Sequence, residues 1–387
     1  MKLDRRSAAV AIAGFCTFVN LYTPQAILPA LSAAFGISLP RTGLTITASL
    51  LAVALVAPFV GSISDVLGRK RLIVGACFGL VVPTILVASS TSLEAMLLWR
   101  FIQGLMLPFI FAVTVAYIGD ECEGAAGIRT TGTYTLGTIM GGFSGRFIAG
   151  IAAGLGGWRF SFLVLAGITA AGAVTVMLLL PREQRFRPVA GGLRGTLATY
   201  ADHVASARLL ATCGVGFGML FSIVATFTYV NFYLAAPPFN LTPAQLGTVF
   251  AVYLLGMLTT PVASRMAQAV GLRITLWCAL ALAATGLLTT LLPSLIAVIA
   301  GLALVCGGLF VVQAMSLSFI GTTIRRGKST AVGLYVTIYY IGGALGGIVP
   351  AALWHAYGWP GVIAAILAVL GLMATLAAIF WRPASAA

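Results

Sequence analysis

Charge is what this sequence has least of. Only 8% of its 387 residues are Asp, Glu, Lys or Arg, against roughly 25% in soluble domains. Eight of those residues are acids, and none follows Asp202. So little charge cannot cover the surface of a water-soluble domain. Histidine is limited to His203 and His355, and Cys16, Cys77, Cys122, Cys213, Cys278 and Cys306 stand singly. Metal-ligand spacing is therefore missing, and no metal or cofactor is expected. The cysteines read as small packing residues. A polytopic membrane enzyme would need acids, histidines or metal ligands gathered at one face, and the acidic loop 120–123 alone does not supply them.

What is abundant is apolar: 60% of residues are hydrophobic and the mean hydropathy is +1.07. Apolar stretches of about 20 residues, each long enough to cross a bilayer as a helix, recur twelve times. They lie near 8–31, 41–63, 72–91, 95–118, 130–154, 158–180, 209–235, 243–264, 272–292, 294–320, 330–353 and 359–381. The first follows Lys2, Arg5 and Arg6 as a secretory signal would. Its length, and its place in the repeat below, make it a span.

The formal charge of +14 would suggest nucleic acid in a soluble protein, so the positions of the bases decide. With both termini in the cytoplasm, 18 of the 22 bases fall at cytoplasmic ends, leaving Arg41, Arg100, Arg146 and Arg159. That is the positive-inside pattern of an even number of spans. No basic patch interleaved with aromatics supports nucleic-acid binding. The expected setting is the bacterial inner membrane, multi-pass, with the lipid bilayer as partner.

Sliding the chain on itself by about 200 residues aligns Pro40 with Pro243, Pro58 with Pro261, Gly68 with Gly271 and Gly119 with Gly321. Tyr134 meets Tyr335, "GGxxG" at 141–145 meets the same pattern at 342–346, and Trp158 meets Trp359. A parallel repeat of six spans follows. The expected organisation is an N-terminal half over 1–180, a basic cytoplasmic linker over 181–208 and a C-terminal half over 209–387. Two such halves suit a transporter with a site near the bilayer midplane.

The densest charge lies in "GSISDVLGRKRLI" at 61–73. Topology accounts for Arg69, Lys70 and Arg71, but Asp65 is a carboxylate at the negative end of a helix dipole and calls for a partner. Arg69, four residues on, is within reach. Gly68 reads as a turn residue that folds the bases back over it. The repeat carries Gln268 and Leu272 at the matching positions, so the second half lacks the pair.

Within the membrane, charge is costly and defaults to function. Arg100 and Arg146 are such charges; Arg100, Gln103 and Gly104 share one helix face. Asn20, Tyr22 and Gln25 on the first span offer polar groups to an arginine. No carboxylate sits near the middle of a span, so the coupling group for a proton is not evident. Polar or aromatic residues on the spans that could face a cavity are Asn20, Tyr22, Gln25, Arg100, Gln103, Arg146, Thr228, Tyr229, Asn231, Gln313, Tyr335 and Tyr339. Gly137, Gly141 and Gly145, with Gly342 and Gly346 in the repeat, clear helix faces for close packing.

These motifs together resemble the major facilitator superfamily over essentially the whole chain. Its signature G-x-x-x-D-x-x-G-R-K-R is matched by Gly61, Asp65, Gly68, Arg69, Lys70 and Arg71, and its R-x-x-Q-G by Arg100, Gln103 and Gly104. "GWRFSF" at 157–162 is similar to the family's sixth-helix start. The stretch "GTIMGGFSGR" resembles the antiporter signature of the family's exporters, with Gly142 in place of Pro and Arg146 in place of the last Gly. The resemblance implies an all-α membrane fold of twelve helices in two six-helix repeats. It also implies a conformational latch of Asp65, Gly68, Arg69 and Asp120, and alternating access. The expected function is proton-linked efflux of small organic molecules by a monomer. The alternative is import or exchange of organic anions through Arg100 and Arg146.

Overall fold

The computed structural model describes residues 4–184, 203–324 and 328–381, with the backbone alone at 260, 261, 328 and 329. Most of the expected linker, 185–202, lies outside the described residues. Every regular element among the described residues is helical: α1 (Arg5–Leu21), α2 (Leu28–Phe35), α3 (Leu44–Leu67), α4 (Arg69–Ala88), α5 (Leu93–Glu121) and α6 (Gly124–Leu179). There follow α7 (Ala207–Ala235), α8 (Pro243–Val249), α9 (Gly256–Val270), α10 (Leu272–Thr289), α11 (Leu295–Thr323), α12 (Lys328–Gly346) and α13 (Ala351–Phe380). Helices alone satisfy every backbone group within one segment, which the bilayer demands.

Nine helices among the described residues are long and apolar enough to cross a membrane, and ten if the pair Pro243–Thr259 and Val262–Val270, bent by 46°, is one span. The 56-residue α6 loses helical geometry at Gly156 and Gly157, and at 1.5 Å per residue it is long enough for two crossings. With its two arms separated and the shorter Thr330–Gly346 added, the described residues supply twelve transmembrane helices.

The spans are less regular than hydropathy suggests. The first is interrupted by a 3-10 turn, Thr23–Ile27, between α1 and α2, where Pro24 and Pro29 each remove a backbone donor. The eighth is interrupted by Phe250–Leu255, also 3-10. The last helix breaks at Gly358, one residue before Trp359, as α6 breaks before Trp158.

The chain forms two compact units: Met1–Gly191 with Leu234–Phe250, and Gly192–Tyr233 with Ala251–Ala387. In the first, α6 packs along α1, α5 lies against α3 and α4, and α8 rests on α6. The closest seam is that of α1 and α6. A Cβ added at Gly137, Gly141 or Gly145 would meet the backbone of Ala11, Phe15 or Val19 at under 3.0 Å, nearer than real Cβ atoms come. The second unit repeats this seam, with Gly342 and Gly346 on α12 against Phe217 and Phe221 of α7. There α10 packs on α11 and α13, and α7 is buried over most of its length.

Candidate functional site

At the α3–α4 turn, Gly68 has φ +90°, and Gly271 at the α9–α10 turn has φ +86°. Glycine adopts this region without steric cost, so each half turns sharply at the same place. The turn puts Arg69 into the first residue of α4, where the helix dipole opposes a cation. Two carboxylates answer it. Arg69 Nη2 lies 2.7 Å from Asp65 Oδ1, and its Nε donates to Asp120 Oδ2 at 3.0 Å, while Nη1 donates to the Ser64 hydroxyl. Arg69 thus ties the end of α3 to the end of α5, with Asp65 and Asp120 themselves 38% and 36% exposed.

The neighbouring Glu121 points to a different set of partners. Its side chain is 2% exposed and 3.7 Å from Arg6 Nη2, and its Oε1 accepts the backbone N–H of Gln184 at 2.8 Å. Tyr117 donates to the carbonyl of Pro181 and Lys70 to that of Leu180. The chain leaving α6 is fastened to α4, α5 and, through Glu121, α1. Sequence reading grouped Glu121 with the loop acids 120–123, because nothing local in the sequence distinguishes its buried partner from solvent.

Arg100, fully buried, answers the interruption of the first span. Its Nη1 donates to the carbonyl of Asn20 at 2.9 Å and to Gln103 Oε1 at 2.7 Å. Its Nη2 donates to the carbonyl of Leu21 at 2.5 Å, and its Nε to that of Thr45 in α3 at 3.0 Å. The last carbonyls of α1 have no intrahelical donor once the helix stops at Leu21. A cation at that end also matches the dipole. Gln103 extends the contact to Thr84 Oγ1 of α4 at 2.7 Å. The Asn20 amide donates to Thr169 Oγ1 of α6 at 2.8 Å, and its Oδ1 is 3.1 Å from the Thr84 hydroxyl. Gly104 and Ser49 touch backbone to backbone, so α5 and α3 sit close enough for Arg100 to reach. Asn20 therefore serves Arg100 through its main chain, while its side chain ties α4 to α6.

Tyr22 and Gln25 belong to the second arginine. Arg146 is also fully buried; its Nε donates to Gln25 Oε1 at 2.8 Å and its Nη1 to the carbonyl of Gly142 at 2.6 Å. Its guanidinium lies 4.6 Å from the ring centroid of Tyr22 and 4.8 Å from that of Phe250. Cation–π contact of this kind is worth up to about 2 kcal/mol when desolvated. Phe250 was absent from the sequence-selected residues. The available signal was Gly247 one turn before it, which lets α8 approach α6.

In the second unit, Tyr335 donates to Gln313 Oε1 at 3.0 Å and its ring lies 5.9 Å from that of Tyr339, so these three residues form one cluster. Tyr229 is separate from them. It donates to the carbonyl of Gly347 at 3.3 Å within an aromatic group containing Phe232 and Trp354. Asn231 bonds back to Phe227 in its own helix, and Thr228 is fully buried beside them. A cavity of about 490 Å³ opens between the ends of α5 and α6, lined by Val115, Ile118, Gly119, Cys122, Gly127, Ile128, Thr131 and Tyr134. None of the sequence-selected cavity residues lines it. No group of three or more potential metal ligands occurs among the described residues.

The Major Facilitator Superfamily profile matches residues 10–236. This chain belongs to the major facilitator superfamily. It is 30% identical over 371 residues to the inner membrane transport protein YnfM of Escherichia coli strain K12, covering 95% of this chain and 89% of that protein. It is 27% identical over 358 residues to the MFS-type transporter YybF of Bacillus subtilis strain 168, covering 92% and 89%. Among solved structures it is similar in fold to the nucleoside transporter NupG, with a TM-score of 0.78 at 13% identity over 97% of this chain and 100% of that one. The human organic anion transporter MFSD10 gives 0.73 at 18% identity, over 96% and 98%. The protein is thus a multi-pass membrane transporter and not an enzyme, and this superfamily member moves small molecules across the bilayer in which it is embedded.

Proposed function

We propose that this transporter exports small organic molecules across the bacterial inner membrane in exchange for protons, by alternating access, as a monomer with both termini in the cytoplasm. The observation that carries the reading is the Arg69 cluster. One guanidinium bridges carboxylates on two helices at the end of the bundle where the sequence places most of its bases. Such a contact can hold in one conformation and release in another. The glycine seam of α6, matching the exporters' signature in part, supports the outward direction. Asp65 and Asp120, both partly exposed, are the two acids that an opening of the cluster would release from Arg69. Substrate contact within the second unit is assigned to Gln313, Tyr335 and Tyr339. The anion-exchange reading draws less support, since Arg100 is committed to three carbonyls and Gln103.

Two measurements test this. In inverted vesicles offered a substrate panel, neutral or cationic compounds should accumulate under an imposed pH gradient and leak away when it is collapsed. Anion exchange indifferent to the gradient would sink the export reading. Asp65→Asn should leave the protein stably inserted, because Asp65 is partly exposed, Asp120 still pairs with Arg69, and an ion pair open to solvent on one side contributes about 1 kcal/mol. The same ~1 kcal/mol difference between conformations changes the transport rate by up to about fivefold. A wild-type rate in well-inserted Asp65→Asn protein would show that the cluster is not a latch.

A further inference from the structure

The segment 243–250 follows the seventh span in the sequence, yet it packs within the first unit. It runs antiparallel along the first arm of α6. Gly150 meets the carbonyl of Pro243, and Gly247 meets the carbonyl of Arg146 and the backbone of Phe147. Phe250 covers the Arg146 guanidinium. The first two contacts are glycine against backbone. Phe250 on Arg146 is the large side-chain contact of the three. Arg146 is also held by Gln25, the Gly142 carbonyl and the Tyr22 ring, groups outside the segment that position its guanidinium independently of Phe250. Beyond Phe250 the helix gives way to the 3-10 stretch Phe250–Leu255, a geometry that often marks a hinge. A ring contact on a guanidinium, two glycine–backbone contacts and an adjoining 3-10 turn describe an element that seats and unseats as a piece.

We propose that Arg146 is the pin of a gate: its contact with the Phe250 ring keeps 243–250 seated on α6, and transport requires that contact to open. The inference rests on the alternating-access reading above. It gives Arg146 a positioning role. It also accounts for an arginine where the exporters' signature places glycine, since a glycine there would offer Phe250 nothing to stack on.

Leu246 is 1% exposed and lies in the seated segment, so Leu246→Cys reports unseating. Its modification by a membrane-impermeant maleimide is followed by peptide mass spectrometry, in intact cells and in inverted vesicles, at equal amounts of stably inserted protein. Adding Phe250→Ala should speed labelling from one membrane side by about thirtyfold, the factor equivalent to ~2 kcal/mol of desolvated cation–π contact. Phe250→Tyr, which keeps the ring, should restore the slow rate. Arg146→Lys, which keeps the charge without the planar fork, should fall between. Unchanged labelling with Phe250→Ala, or equal acceleration by Phe250→Tyr and Phe250→Ala, would overturn the pin. No substrate is needed, so the test stands apart from the vesicle assay. Expected labelling without gradient-driven transport keeps the gate and rejects export, whereas gradient-driven transport with unchanged labelling does the reverse.

Discussion

Replacing Arg100 by methionine should cost about 3 kcal/mol of stability and abolish transport. Methionine fills similar volume but donates nothing. The carbonyls of Asn20, Leu21 and Thr45 would then be buried without that donor, at about 1 kcal/mol or more each. Gln103 would lose its hold as well, loosening the contact to Thr84. Arg100→Lys should fall between the two, because an ammonium lacks the planar fork that reaches three carbonyls and Gln103 at once. A thermal or denaturant titration in detergent reads the difference. A midpoint for Arg100→Met equal to the parent's would mean that the end of α1 is satisfied by other groups.

The second large effect is a change of sign between identical substitutions on one helix. Gly141→Ala should destabilise by about 1–3 kcal/mol, because its methyl would enter the backbone of Phe15 and a packed seam resists insertion. Gly154→Ala and Gly167→Ala lie in the same α6 with nothing within 4 Å of the added carbon. They should be neutral or gain up to about 1 kcal/mol from helix propensity. The same melting assay compares all three. If Gly141→Ala is as benign as Gly167→Ala, α1 and α6 do not pack at that distance.

Much of the fold was legible because its signals are periodic or compositional. Runs of apolar residues gave the spans, and the spacing of Gly68 from Gly271, and of the 141–145 pattern from 342–346, gave the repeat that the turns and seams then realise. The candidate site was legible only in part. That Arg100 and Gln103 act together follows from helical spacing. That Arg100 serves main-chain carbonyls could not be read, because hydropathy averages over the 3-10 interruption that frees them. Pro24 and Pro29 were visible, but proline inside a membrane helix is often accommodated without a break. The division of labour between Asn20, which goes to Arg100, and Tyr22 with Gln25, which go to Arg146, depends on the direction in which the chain leaves α1. The seat of Phe250 on Arg146 joins positions about a hundred residues apart and leaves no local trace.

The interrupted first span also bears on the order of assembly during synthesis. Its open carbonyls at Asn20 and Leu21 wait for a donor 80 and 79 residues later, which at 5–20 residues per second is an interval of roughly 4–16 s. An unsatisfied backbone group in hydrocarbon costs several kcal/mol. The end of α1 therefore reaches its final shape only after α5 has been made, and until then those carbonyls must be served by water, by the insertion machinery or by a straighter, transient helix. That span is in this sense finished only once the fourth of the described spans has been made.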